Sequence, residues 1–382
     1  MTFEAMLPRH VRFGPGVSAE APTGLRGLSR VLLVTGREPE RHPAVTDSLR
    51  RAGIAVVPVR ATREPTVEDA RAAVETARRE GCQGVVALGG GSALDLGKAV
   101  AGLLGNPGDP MDYLEVVGRG RALERPAVPL VAVPTTAGTG SEATRNAVLA
   151  VPEAGVKASL RSPFLLPTLA LVDPLLTLGV PPEVTAWCGM DALVQLVEPL
   201  VSARAGPFTD ALCREAIPRA LRALPRAFRD GSDLEAREEM ALASLFGGIA
   251  LANGGLGAAH GLAAAIGGRF PAPHGALCAR LIVPVVQANL RKARETADLG
   301  VQHRYEDLAV LLAGRPGAPV DEAAEVLGTL VDGLGIPRLS AWGVAPGDLE
   351  DLARAGSRAG STRANPVPLE VEELRRVLEE AL

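Results

Sequence analysis

Aromatic side chains are scarce in this chain. Trp, Tyr and Phe make up 3% of its 382 residues, which leaves Ala, Leu and Val to carry most of the apolar content. Cysteine is scarce too. The four thiols, Cys82, Cys188, Cys213 and Cys278, are widely spaced and form neither CxxC pairs nor a disulfide framework. Each lies among apolar or small residues and reads as an ordinary buried cysteine. A basic excess is absent. Forty Lys and Arg face 44 Asp and Glu, for a formal charge of -4, so no nucleic-acid partner is expected. No run of 18 apolar residues occurs, and neither a transmembrane helix nor a membrane partner is expected. The start, MTFEAMLPRHVRF, has no basic segment leading into an apolar run, so it is not a secretory signal. Together these absences point to a cytoplasmic protein.

What is present suits a globular fold. Hydrophobic residues make 47% of the chain, and its length fits one large or two medium domains. The first part alternates short apolar runs with helical patterns. Strands are predicted over 30–36, 54–59, 84–91, 129–136 and 166–174, and helices over 42–53, 66–82 and 92–104. Thr66 is the expected N-cap of the second helix, with Asp69 three residues later. Strands alternating with helices predict a parallel sheet covered on both faces. After Pro181 only helical patterns follow: 183–201, 207–226, 233–253, 256–266, 275–296, 303–313, 320–334, 347–355 and 370–380. The expected fold is therefore an α/β domain over 1–178 and an all-helical domain over 179–382.

Two glycine-bearing turns carry the first chemical signal. VVALGGGSALDLGKAV reads as strand, turn and helix. Gly89, Gly90 and Gly91 permit a tight turn without a side chain against a ligand, and the following helix start favours an anion such as pyrophosphate. Ser92 is placed to cap that helix or donate to a phosphate. Asp95 is placed to meet a ribose or to complement the helix terminus. The spacing matches neither GxGxxG nor GxxxxGKS. The second turn, VAVPTTAGTGSEAT, puts Thr135, Thr136, Thr139 and Ser141 at another strand end. Ligands bind outside the carboxyl ends of strands in open parallel sheets. Two such strand ends predict a nucleotide site, against the alternative of hydroxyls bonded to their own backbone.

Histidine is the second signal, because there are only five. His10, His42 and His303 have polar or terminal surroundings. His260 and His274 lie in GGLGAAHGLAAAIGGRFPAPHG, nearly devoid of charge, and each precedes a glycine. Upstream, WCGMDALVQLVEPL sets Asp191 and Gln195 on one face of an apolar helix. A buried hydrogen-bonded pair explains them. So does half of a metal site, since imidazole and carboxylate suit Zn or Fe(II).

GGGSALDLGKAVA, PTTAGTGSEAT, the GMDAL helix, AAHGLAAAIGGRFPAPHG and NPVP together resemble the iron-containing (group III) alcohol dehydrogenase family, which is similar in fold to dehydroquinate synthase. The resemblance spans nearly the whole chain. It implies a dehydroquinate synthase-like fold, with NAD or NADP and a metal, Fe(II) or Zn(II), in a cleft between the domains. It also implies hydride transfer to or from an alcohol, aldehyde or ketone, in a homo-oligomer, commonly a dimer. The family holds its metal with an aspartate, a histidine four residues later and two further histidines. Asp191, His260 and His274 match three of these and are the catalytic candidates.

The chain departs from the family in several places. The second metal ligand, the histidine four residues after the aspartate, falls on Gln195, a weaker donor than imidazole. A further histidine that many members carry falls on Ala264. The aspartate that meets the NAD ribose in many members falls on Gly36, followed by Arg37. Without that carboxylate a 2′-phosphate is not repelled, and the arginine is available to pair with it, so NADP(H) is expected to be acceptable. Lys157 is similar to a family lysine near the cofactor ribose. Two alternatives stay open. One is a metal-independent, maleylacetate reductase-like enzyme, with Arg145, Arg161, Arg269 or Arg280 supplying positive charge. The other is a nucleotide-binding member that has lost catalysis.

Overall fold

The structure is a computed structural model and describes residues 3–382. It divides into two compact units, one made of residues 6–136 and 140–178, the other of 179–382 with 137–139 and the described residues before Met6.

The first unit contains β1 (Val11–Phe13), β2 (Arg30–Thr35), α1 (Pro43–Arg51), β3 (Ala55–Arg60), α2 (Val67–Arg79), β4 (Gly84–Gly89), α3 (Gly91–Gly105), α4 (Pro110–Tyr113), β5 (Leu130–Pro134), β6 (Asn146–Val151), β7 (Val156–Arg161) and β8 (Leu169–Val172). Six of the strands form one sheet in the order β1-β8-β5-β4-β2-β3, and every pairing in it is parallel. Its central strands are buried on both faces. Leu32 and Val34 join one core with Val85, Ala87, Leu130 and Ala132. Val31, Leu33, Val86, Leu88, Val131 and Val133 join another. Successive strand residues point to opposite faces, so such runs need cover on both sides. α2 and α3 cover the first face, and α1 with residues 17–25 covers the second. The capping box at Thr66 and Asp69 forms as the sequence predicts.

Short elements appear that the sequence pattern does not predict, among them β1 and α4. The largest departure lies over 137–165, where β6 and β7 form an antiparallel hairpin, with Gly155 in the left-handed conformation at its turn. Ala147, Leu149 and Val151 face inward in alternation, which is the period-2 signal of a half-buried strand. The hairpin packs on α3, where the Val148 N–H donates to Asp95.

The second unit contains helices only: α5 (Pro182–Val201), α6 (Pro207–Arg229), α7 (Leu234–Gly254), α8 (Ala258–Gly267), α9 (His274–Glu295), α10 (Leu299–Ala313), α11 (Glu322–Gly333), α12 (Leu349–Arg358) and α13 (Val371–Ala381). α10 begins four residues earlier than its apolar pattern suggests, because Asp298 caps it by accepting from the Val301 N–H at 3.1 Å. α5 is long and apolar enough to cross a membrane by length and composition. Its residues are instead buried by the helices around it, in a core that includes Met190, Leu193, Val194, Leu196 and Val197.

Candidate metal and cofactor site

Three helices of the second unit carry the polar residues singled out from the sequence. α5 bears Asp191 and Gln195, α8 bears His260, and α9 begins at His274. Glycine lets them approach. A Cβ on Gly275 would run into the Trp187 carbonyl oxygen and lie 3.1 Å from the Asp191 Cβ. A Cβ on Gly261 would run into the Thr362 hydroxyl. The glycine after each histidine thus permits close packing at the site.

α8 has no side-chain cap of its own. The Ala259 N–H donates to Glu198 Oε1 at 2.8 Å, and the Ala258 N–H donates to Asn365 Oδ1 at 3.0 Å. Asn365, from the NPVP segment, also donates to Asn289 on α9 at 2.7 Å. A carboxylate from α5 and an amide from residues 361–367 therefore hold the start of α8. Glu198 has a second task. Its Oε2 lies 2.6 Å from His260 Nδ1. With the proton on Nδ1, the lone pair of Nε2 is left facing Asp191.

The donors converge. His260 Nε2 lies 3.4 Å from Asp191 Oδ1, and His274 Nε2 lies 3.9 Å from the same oxygen. Cys278 Sγ lies 3.6 Å from His274 Nε2. One donor atom from each of Asp191, His260, His274 and Cys278 falls within 4.8 Å of all the others. Metal–ligand lengths of about 2.0–2.3 Å in a tetrahedron give edges of roughly 3.3–3.8 Å, close to these separations. Asp191 Oδ1 and His260 Nε2 are buried without a hydrogen-bond partner. Leaving such atoms unsatisfied is costly, and a divalent ion would satisfy both. The residues present fit a metal. Asp191 and His260 are about 3–4% exposed, whereas the His274 side chain is 36% exposed, so the centre opens on the His274 side.

Burial opposes every charge in this group, and the charges offset it. Burial would raise Asp191, yet the facing His260 and His274 imidazoles hold the carboxyl below its ordinary value. It also opposes the Cys278 thiolate, which the same imidazoles favour enough to bring the thiol down. His260 is raised despite burial, by Cys278, Glu198 and Asp191.

Gln195 shares the buried face of α5 with Asp191, and its Oε1 has no hydrogen-bond partner. Its Nε2 donates to Asp191 Oδ2 at 2.9 Å. The pair is hydrogen-bonded, and the second carboxylate oxygen still faces the two imidazoles. Cys278 is buried, as its apolar context predicts, and its sulfur also lies among the candidate donors. His274 and Cys278 are four residues apart, on one helical face, and that spacing was a signal in the sequence. Glu198, equally overlooked, sits one turn beyond Gln195.

The cofactor candidates lie mainly on the first unit. β3 and β4 flank β2 on opposite sides, so the strand order reverses between β2 and β4. Gly36 follows β2, Gly89–Gly91 end β4 and open α3, and Thr135 and Thr136 follow β5. These carboxyl ends are tied together. The Gly36 N–H donates to the Leu88 carbonyl at 3.3 Å, and the Thr135 N–H to the Gly89 carbonyl at 3.0 Å. A Cβ on Gly89 would lie 2.7 Å from Ala93, so no other residue fits there unchanged. Gly90 precedes α3 without a side-chain cap, so that helix opens at the carboxyl end of β4.

Ser92 is in the first turn of α3. Asp95 and Ser141 bond each other, Ser141 Oγ donating to Asp95 Oδ1 at 2.5 Å, while Asp95 Oδ2 accepts from the Val148 N–H. They lock the second turn and the hairpin to α3. Thr139 groups with the helical unit. Lys157 pairs with Glu64 at 2.6 Å. Arg37 is exposed, and its Nε donates to the Thr62 carbonyl at 2.9 Å.

Two family models match the chain: iron-containing alcohol dehydrogenase over residues 8–174, and Fe-containing alcohol dehydrogenase family, C-terminal, over residues 185–382. Choline dehydrogenase of Bacillus subtilis (strain 168) is 34% identical over 379 residues, which cover 96% of this chain and 91% of the relative. NAD-dependent methanol dehydrogenase of Bacillus methanolicus is 34% identical over 97% of each chain. The crystal structure of a 1,3-propanediol oxidoreductase matches with a TM-score of 0.91 at 34% identity, covering 100% of both chains. Likeness of this order runs through both units, and the chain belongs to the iron-containing alcohol dehydrogenase family, whose members are NAD(P)-dependent oxidoreductases of alcohols and aldehydes.

Proposed function

We propose that the chain oxidises small alcohols, and reduces the matching aldehydes or ketones, with a metal held by Asp191, His260 and His274. The observation that carries this reading is the facing pair of buried, partnerless atoms, Asp191 Oδ1 and His260 Nε2. Fe(II) and Zn(II) both suit imidazole and carboxylate. When bound, either supplies Lewis acidity that favours the deprotonated alcohol.

The chain's own residues prepare the site. Glu198 fixes the His260 tautomer, and the Gln195 amide holds one Asp191 oxygen so that the other turns inward. The exposed edge of His274 marks the side on which substrate enters. Ala264, one turn beyond His260, provides no second imidazole to take the alcohol proton, which would be left to solvent. Gly89–Ser92 and Thr135–Thr136 cradle the dinucleotide, with Gly36 and Arg37 beside its ribose. NADP(H) serves at least as well as NAD(H). The relatives' names span choline, methanol and 1,3-propanediol, which supports a small hydroxyl-bearing substrate. The protein is taken as a cytoplasmic homo-oligomer, a dimer.

The metal-independent alternative needs free positive charge. Its candidates have partners elsewhere: Arg145 donates to the Met6 sulfur, Arg161 pairs with Glu115, Arg269 with Asp348, and Arg280 donates to the Ile336 and Pro337 carbonyls. Turnover of short alcohols with both cofactors, before and after chelation, decides between them. Activity is expected to vanish with chelator and return with Fe(II) or Zn(II). Activity indifferent to chelator and metal would favour the metal-independent enzyme, and binding of nucleotide without turnover would favour lost catalysis.

A further inference from the structure

α9 presents His274 and, one turn later, Cys278 to the donors of α5 and α8. α5, by contrast, offers Asp191 and, one turn later, a neutral amide whose Nε2 donates to Asp191 and whose Oε1 is buried without a partner. The helical turn after the aspartate therefore supplies only an uncharged amide oxygen, a weaker donor than imidazole or thiolate, whereas the turn after His274 supplies a sulfur. Cys278 is fully buried and lies 3.6 Å from His274 Nε2. Two buried atoms without partners, Asp191 Oδ1 and His260 Nε2, face the same place independently of the cysteine.

We propose that Cys278 is the fourth protein ligand of the metal, in place of the strong donor that Gln195 does not provide, and that its sulfur biases the centre toward thiophilic ions such as zinc. This deepens the metal-centre reading and rests on it. Binding is deprotonation and coordination: the thiol proton leaves to solvent and a sulfur lone pair is shared with the ion, with no change of oxidation state. Soft thiolate favours zinc over ions that prefer oxygen, such as Mn(II). Carboxylate, two imidazoles and thiolate make a mixed O, N, N, S set, and the exposed side of His274 is left for substrate.

Cobalt(II) is the probe, added to the full-length protein after chelation. Wild type is expected to bind one ion per chain and to show a near-ultraviolet sulfur-to-cobalt charge-transfer band with visible ligand-field bands. Cys278→Ser is expected to keep ligand-field bands and lose the charge-transfer band. Its zinc affinity should fall by at least the roughly 10–100-fold that loss of even an outer partner costs, and its Mn(II) affinity by less. Adding Gln195→His to that variant should recover zinc affinity, because an imidazole returns on the same face of α5. Cobalt bound in wild type without the charge-transfer band, or a band that persists in Cys278→Ser, would overturn the thiolate assignment while leaving the metal centre standing. A double variant no tighter than Cys278→Ser would overturn the exchange of one donor for the other. Wild type that takes up no cobalt would overturn this proposal and the metal-centre reading together. If Cys278→Ser does not fold, the wild-type band and its loss in Cys278→Ala decide the same question.

Discussion

The two oxygens of Asp191 have different partners: Oδ2 accepts from the Gln195 amide, and Oδ1 faces His260 and His274. Glu198 divides its oxygens in the same way, Oε1 to the α8 backbone and Oε2 to His260. Replacing Glu198 by Gln keeps the shape but lets an amide donate to Nδ1, which favours the wrong tautomer. Metal affinity is expected to drop about 10–100-fold, read by competition with a chromogenic chelator, while the far-ultraviolet spectrum stays native. An unchanged affinity would mean that Glu198 serves only to cap α8. Arg37 offers a second test at this scale. If it pairs with a 2′-phosphate, Arg37→Ala should weaken NADPH binding by about tenfold, or 1.4 kcal/mol, and leave NADH binding unaltered in fluorescence titration. Equal loss for both cofactors would remove Arg37 from the 2′-phosphate.

At the scale of elements, the candidate metal site depends on how closely three helices approach. Trp187 and Asp191 of α5 occupy the space in which a side chain at the start of α9 would stand. Gly275→Ala is expected to push these helices apart, at a cost of about 1–3 kcal/mol by overpacking. Denaturant titration reads that cost, and metal content after dialysis should fall with it, because donor separations set by the two helices widen. Lost stability with full metal retention would show that α9 can shift without moving His274. The start of α8 rests on Glu198 and Asn365 rather than on a cap of its own, which explains why a late NPVP segment bears on a histidine about a hundred residues earlier.

At the scale of the whole molecule, the α/β unit carries a buried ionic group that makes stability depend on pH. Burial raises the Glu142 carboxyl to about 7, against a backbone hydrogen bond and the nearby Lys98 that lower it. Lys98 is itself lowered by burial, though Asp95 and Glu142 counter this. Its Nζ donates to the Ser141 carbonyl and to the Thr144 hydroxyl. For an acid whose folded pKa lies above its unfolded value, the folded state holds the extra proton. The associated stability is full below about pH 4.5 and is lost as pH rises through 7. Glu142→Gln, which cannot ionise, should match wild type near pH 4 and exceed it by roughly 3 kcal/mol near pH 8, from 1.36 kcal/mol per pKa unit. The difference between the two proteins, measured by denaturant titration across that range, isolates this group from the metal ligands. A difference that does not grow with pH would show that Glu142 stays ionised in the fold.

Local pattern determined a great deal by itself. Short apolar runs marked β2, β3, β4, β5 and β8. Helical periodicity after Pro181 marked a second unit without a sheet, and the two histidines in an uncharged segment marked the site. These are properties of neighbouring residues, and periodicity expresses them directly. The hairpin over 146–161 was equally local in its signal, but short alternating strands are weak evidence until α3 is there to cover them. Other features were decided only by tertiary structure. The partners of Asp191 come from α5, α8 and α9, so which of its oxygens is satisfied depends on three helices meeting. Glu198 and Asn365 act on a helix remote in sequence. Cys278 looked like any buried thiol because its neighbours in the chain are apolar. Its meaning comes from the carboxylate and the imidazoles that packing brings within 4.8 Å of one another and of its sulfur, since coordination chemistry depends on distance in space and not on position along the chain.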